Sequence, residues 1–255
     1  MNKIGVAAAV CAVAVGAVML WPSGRKDAVT AGPLTLVDPA TAGSVHGTVR
    51  FEGTPPAPAL IDMSSKPECH ALHPGPAPDG KILAKDGRLQ NAVVYISAGL
   101  EGKRFAVPAE PVAMDQKDCL FSPRVVAVMA GQDLEFVNSD PAQHNVKTAP
   151  DPKNSDGFNF TLPRKGARQK TRIARAEVAI RLSCDFHGWM EGWVAVLDHP
   201  FFAVTGPDGT FSLKGLPPGD YEVEAWHEAL GTRSAKVRVE PKGSATLYLA
   251  FAAKP

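Results

Sequence analysis

Ser183-Cys184-Asp185-Phe186-His187-Gly188-Trp189-Met190 puts a thiol, an imidazole and a thioether on one short stretch, with two residues between each neighbouring pair. Such a set suits a soft, redox-active ion: two His and one Cys in a trigonal plane with a weak axial Met form a copper electron-transfer site. One imidazole is missing from the octapeptide. Upstream, Phe136-Val137-Asn138-Ser139-Asp140-Pro141-Ala142-Gln143-His144-Asn145-Val146 ends a strand-like run in turn residues and supplies His144 where the chain would re-enter a sheet. Before the octapeptide, Val178, Ile180, Leu182 and Cys184 share one parity of a strand. They should point to one face, with the sulfur inward among apolar neighbours.

With both motifs in view, residues 112 to 198 resemble the cupredoxin family, and most closely its amicyanin and plastocyanin group. The metal loop, with two residues between successive ligands, looks amicyanin-like, and residues 134 to 146 resemble the first-ligand segment, including Asn145 directly after the His. The resemblance implies one copper ion, cycling between Cu(I) and Cu(II), with His144, Cys184 and His187 as equatorial ligands and Met190 as the axial one. It further implies that His187 is the electron exit, within an apolar docking surface of Phe186, Gly188 and Trp189. Trp189 and Trp193 could instead cover the site or pack between domains. The competing reading is a buried free thiol beside an unrelated loop imidazole. Zinc is a rival ion, but Met is not among its usual ligands.

The chain of 255 residues is long enough for one large or two small domains. Its 27 basic and 26 acidic residues nearly cancel, so the total charge points to no nucleic-acid partner. Glycine and proline, 23 each, are spread through the chain and suit short strands joined by turns. The expected class is all-β.

Residues 1–31 read as a signal peptide or an N-terminal membrane anchor. Lys3 gives a positive start and Ile4 to Leu20 is an uncharged apolar run, sufficient for a signal core and marginal for a span. No Ala-x-Ala follows the run directly and Val29-Thr30-Ala31 is only a distant candidate for cleavage, so a tether through residues 4–20 stays open. Cys11 belongs to the apolar run. Either way the expected location is outside the cytoplasm, in the periplasm or anchored facing it. Residues 32–42 are rich in Pro, Gly, Ala and Thr and read as a linker.

Val45, Gly47, Val49 and Phe51 alternate with polar residues as in a half-buried strand, which leaves His46 solvated. Asn91 to Ile96 reads as a buried strand. Between them lies a long irregular loop. With Cys11 in the export segment and Cys184 assigned to the metal, Cys69 and Cys119 remain as a pair, and a disulfide is the default in an exported protein. Cys69, His70 and His73 as a second metal site are the alternative. No Cys-x-x-Cys-His supports haem attachment.

The copper domain should contribute strands at 123–129, 134–137, 173–184 and 193–197, with a short one around Phe158 to Leu162, in a Greek-key sandwich. Beyond it, Asp208-Gly209-Thr210-Phe211 and Leu216-Pro217-Pro218-Gly219-Asp220-Tyr221 resemble signatures of the carboxypeptidase-regulatory or transthyretin-like sandwich, a small Ig-like β-sandwich. That module normally opens with strands like those at 45 to 53 and 91 to 97, so an insertion is inferred: 43–104 first part, 105–198 cupredoxin, 199–255 second part. His199 and His227, at the junction and at a strand end, could meet around another metal or be hydrogen-bonded packing.

The function expected is an exported single-electron carrier, not an enzyme, serving a redox protein such as a cytochrome or dehydrogenase. Copper storage or delivery is the first alternative, and an adhesion or carbohydrate-binding sandwich the second. A multicopper oxidase is disfavoured because the chain has no His-x-His pair.

Overall fold

The computed structural model describes residues 33–153 and 156–253. The expected signal or anchor lies outside them. Among the described residues no helix is long and apolar enough to cross a membrane. The described residues are β nearly throughout, as expected, with one short helix among them at Pro67–Leu72.

Four sheets carry the architecture. Sheet I holds Gly43–Glu52, Ala84–Lys85, Arg88–Leu89, Thr210–Leu216 and Ser244–Ala252. Sheet II holds Val93–Ala98, Phe202–Val204, Gly219–His227 and Gly231–Val239. Sheet III is Asn159–Leu162, His144–Ala149, Glu177–Ser183, Glu191–Leu197 and Val125–Met129 in spatial order, and sheet IV is Arg168–Thr171, Leu134–Asn138, Val112–Lys117 and Leu120–Ser122. Gly43–Glu52 pairs antiparallel with Thr210–Leu216 and parallel with Ser244–Ala252. Val93–Ala98 likewise pairs with Phe202–Val204 and with Gly219–His227. Sheets I and II therefore join chain from both sides of residues 105–198, while sheets III and IV come from within them.

Burial sorts the sheets into layers. Val45, Val49, Phe51 and Leu213 of sheet I meet Val94, Ile96, Val223 and Ala225 of sheet II. Met114, Leu134 and Phe136 of sheet IV meet Val126, Ile180, Leu182 and Val194 of sheet III. A third cluster joins sheets II and III through Val93, Tyr95, Val125, Ala127, Ala195 and Leu197. The order is I, II, III, IV. Val93–Ala98 and Glu191–Leu197 thus bury residues of both parities, and this is why they read as continuous apolar runs instead of alternating ones.

Between sheets II and III, the Trp193 and Trp226 rings meet edge to face with centroids 5.3 Å apart. The Trp193 indole N–H donates to Glu228 Oε2 at 2.9 Å, and the Arg124 guanidinium grips the same carboxylate through both oxygens. Trp193 packs between sheets II and III.

Two expectations need correction. Val178 does not share a face with Ile180, Leu182 and Cys184; it belongs to the cluster between sheets II and III. Ala179 has φ +76°, and the register against Glu191–Leu197 shifts between Glu177 and Ile180. Such a bulge reverses which face the preceding residue takes. The segment between 53 and 91 is also not irregular throughout. It contains the helix, a two-stranded ribbon of Leu60–Ile61 with Ala77–Pro78, and the short Ala84–Lys85 and Arg88–Leu89 pair. Cys69 of the helix is bonded to Cys119, in the turn between Val112–Lys117 and Leu120–Ser122, with an S–S distance of 2.03 Å. The segment is thereby fastened to sheet IV.

Candidate metal centre

His144 opens one strand of sheet III, and Cys184 follows the end of its neighbour. The two strands are antiparallel, with Lys147 opposite Ser183, so the first residue of one and the first residue beyond the other come together at the same sheet end. The loop then turns back: the Met190 N–H donates to the His187 carbonyl at 2.9 Å, closing a turn that keeps His187 near Cys184. A ligand atom each from His144, Cys184 and His187 lies within 4.8 Å of the other two, and all three residues are buried. His144 Nδ1 is 3.0 Å from His187 Nδ1, and His187 Nδ1 is 3.6 Å from Cys184 Sγ. Met190, fully buried, packs in the same core as Cys184.

Sequence reasoning missed Asp140. Its carboxylate lies 2.9 Å from His144 Nε2 and accepts the N–H groups of Asp118 and Cys119 at 2.8 and 2.7 Å. A carboxylate bound to Nε2–H leaves the Nδ1 lone pair free to face the other donors, the arrangement by which metal-ligating histidines are commonly oriented. The only sequence signal was a carboxylate four residues before the His, in a turn. Asp140 is itself held, since its N–H donates to Asn138 Oδ1 at 2.9 Å. Asn145 has a larger role than its place beside the His suggested. Its backbone N–H donates to Cys184 Sγ at 3.5 Å, its Oδ1 accepts the Asp185 N–H at 2.6 Å, and its Nδ2 reaches Asn159 Oδ1.

These contacts set the electrostatics. Burial alone would raise the Cys184 pKa, but hydrogen bonds from His144, His187 and the N–H groups of Asn145 and Phe186 outweigh it and bring the thiol down to about 6. Burial would lower His144, yet Asp140 and Cys184 overcome it and raise the imidazole to about 8. The environment thus favours the thiolate, the form that binds metal.

The donor set fits copper. Two metal bonds of about 2.0–2.3 Å meeting at open angles place their donors roughly 3–4 Å apart. The spacings from His187 Nδ1 to His144 Nδ1 and to Cys184 Sγ fall in that range, and thiolate, imidazole and thioether together suit copper better than zinc. Two other buried groupings, Cys69 with Cys119 and His187, and Cys119 with Asp140 and His144, use sulfurs already bonded to each other and offer no thiolate.

The remaining sequence candidates fall elsewhere. His187, which the resemblance makes the electron exit, is only 1% exposed. Both disulfide sulfurs lie within 4.8 Å of one of its ring nitrogens, so the segment anchored by Cys69 helps to shut it from water. Phe186 is exposed, whereas Trp189 is half-buried and sends its indole N–H to the Cys119 carbonyl at 3.1 Å. His70 is exposed and His73 Nε2–H donates to the Asp118 carbonyl at 2.8 Å; neither joins Cys69 in a metal grouping. His199 donates from Nε2 to the Ile96 carbonyl at 2.8 Å and accepts the Phe201 N–H at Nδ1, while His227 Nδ1 accepts the Ala229 N–H. Among the described residues neither His199 nor His227 belongs to a metal grouping. His46 is exposed and hydrogen-bonds Ser244 and Thr246.

No family model matches the sequence, and no curated protein sequence does. Among solved structures, a copper-containing nitrite reductase from Thermus scotoductus is 21% identical over 40% of this chain and 25% of its own, with a TM-score of 0.33. The chain therefore spans a quarter of that reductase. A purple cupredoxin from Nitrosopumilus maritimus is 21% identical over 33% of this chain and 97% of its own, TM-score 0.28. Amicyanin from Paracoccus versutus is 20% identical over 40% and 96%, TM-score 0.31.

Proposed function

We propose that the chain is an exported single-electron carrier in which His144, Cys184 and His187 would hold one copper ion, with Met190 as the further, weaker ligand. The observation that carries this reading is the buried convergence of the three donor atoms within 4.8 Å from two paired strands and one loop. Copper, when bound, would alternate between Cu(I) and Cu(II). The protein's part is to keep the donors still. Asp140 fixes the His144 ring, Asn145 clasps the loop at Asp185, and the Met190 turn fixes His187. Donors that keep their places in both oxidation states make electron exchange cheap in reorganisation.

The pairing of strands 43–52 and 93–98 with strands beyond 202 supports a copper-binding sandwich of residues 105–198 set into a transthyretin-like one of 43–104 and 199–255. Two crossings hold such an insert more firmly than one linker. A disulfide within the fold supports an oxidising location, in the periplasm or at the membrane facing it. The partner is a redox protein, a cytochrome or dehydrogenase, and the chain acts as a carrier, not an enzyme. Copper delivery is the weaker reading, because a site this enclosed gives an acceptor no open ligand to engage.

Titrating the folded protein with Cu(II) tests the proposal. One equivalent should develop an intense visible thiolate-to-copper band that a mild reductant bleaches reversibly. Binding without such a band would refute it.

A further inference from the structure

In a carrier of this kind the edge of a loop imidazole is where electrons would leave, and here that edge is closed. His187 lies beneath the Cys69–Cys119 disulfide, and the segment that the bond anchors packs Met63 and Ala77 against Cys119 and Ala142. The neighbouring aromatic is different. The Trp189 ring centroid is 5.3 Å from that of His187, and Trp189 lines a groove of about 290 Å³ with Ala59, Ile61, Lys81, Arg124 and Glu191. Its indole N–H, held by the Cys119 carbonyl, ties the ring to the same turn that covers His187.

We infer that electrons pass to and from the metal centre through Trp189 and this groove, not through the His187 edge. The inference rests on the electron-carrier reading above. In the step, a one-electron donor in the groove loses one electron and the centre gains it. No bond forms or breaks, and the indole serves as a bridge without being oxidised itself. The rim also says how a donor would be received. Lys81 is paired with Glu191 at 3.3 Å, and Arg124 with Glu191 at 3.6 Å and with Glu228. Asp79, whose Oδ1 accepts the Lys81 N–H, also lines the groove, so its charged side chains are two positive (Lys81, Arg124) and two negative (Asp79, Glu191); balanced charge leaves little net field to steer a partner, so apolar contact with Ala59, Ile61 and Trp189 should dominate.

The test fills the groove without touching a ligand. Ala59 is exposed at its margin, so Ala59→Trp should fold and keep the visible band. Stopped-flow reduction of the copper-loaded protein by tetramethyl-p-phenylenediamine, an uncharged one-electron donor, should slow severalfold in Ala59→Trp and stay unchanged in Tyr248→Ala, an exposed aromatic on sheet I. An unchanged rate in Ala59→Trp, or an equal slowing in Tyr248→Ala, would overturn the inference. A second measurement reads the cover before copper is added. Diethyl pyrocarbonate should leave His187 unmodified in the disulfide-bonded protein and acylate it in Cys69→Ser/Cys119→Ser, as scored by peptide mass spectrometry. Acylation of His187 with the disulfide intact would also overturn it. If the wild type lacks the visible band, the carrier reading fails; if the band is present and groove filling is silent, only the Trp189 route fails.

Discussion

Each sandwich buries two histidines, and they behave oppositely. His144, at the end of sheet III, and His187, on the loop beyond it, meet directly beside the Cys184 thiol, and Asp140 and Cys184 raise His144 to about 8. His199 and His227, beside sheet II, each meet mainly backbone; burial lowers His199 and pushes His227 down to about 4. Burial is common to all four. What separates the two pairs is whether ring nitrogens converge with other donors, as at His144 and His187, or meet peptide groups, as both nitrogens of His199 do and Nδ1 of His227 does, while His227 Nε2 is buried without a hydrogen-bond partner.

The contrast is broken most sharply at Cys184. Cys184→Ser should abolish the visible band entirely in a copper titration, while His199→Gln should leave band and stoichiometry untouched. A retained band in Cys184→Ser would erase the difference between the two pairs.

Next in size is acid sensitivity from the packing pair. His227 titrates near 4 when folded and near 6.5 when unfolded, so between these values the unfolded chain binds more protons and stability falls as pH drops. The contribution is complete above about pH 6.5 and lost by about pH 4, a change of about 3 kcal/mol. Urea unfolding at pH 7 and 4.5 should show this loss in the wild type and much less of it in His227→Leu. Equal losses would mean that His227 is not the group responsible.

Asp140→Asn sharpens the other half. The amide would present a donor toward groups that already donate, and copper affinity should fall about 10–100-fold. Competition with a chelator of known affinity measures this, and an unchanged affinity would remove Asp140 from the centre's support. Least of all, Lys147→Ala breaks an exposed ion pair with Asp185. It should cost less than about 1 kcal/mol in denaturant unfolding and leave the spectrum alone.

Some of this was legible in the chain. Strand alternation gave the all-β class, and the octapeptide held three donor side chains at fixed spacing, because ligands within one loop are a local property. Cysteine counting gave the Cys69–Cys119 pair, since few alternatives remained. Asp140 was not legible as a support for His144, because its partners are backbone groups at Asp118 and Cys119, brought near by the turn after Val112–Lys117. Val178 misled for a related reason. Parity assumes regular backbone, and Ala179 breaks it.

By itself, then, the sequence determined the strand pattern, the turns and the chemical character of the loop, all of which depend on neighbours a few residues apart. Only the tertiary structure decided that His144 reaches that loop, that a disulfide helps to shut His187 from water, and that sheets II and III bury their outer faces on each other. Those outcomes depend on side chains far apart in the chain, whose meeting is set by how layers pack and which no local pattern encodes.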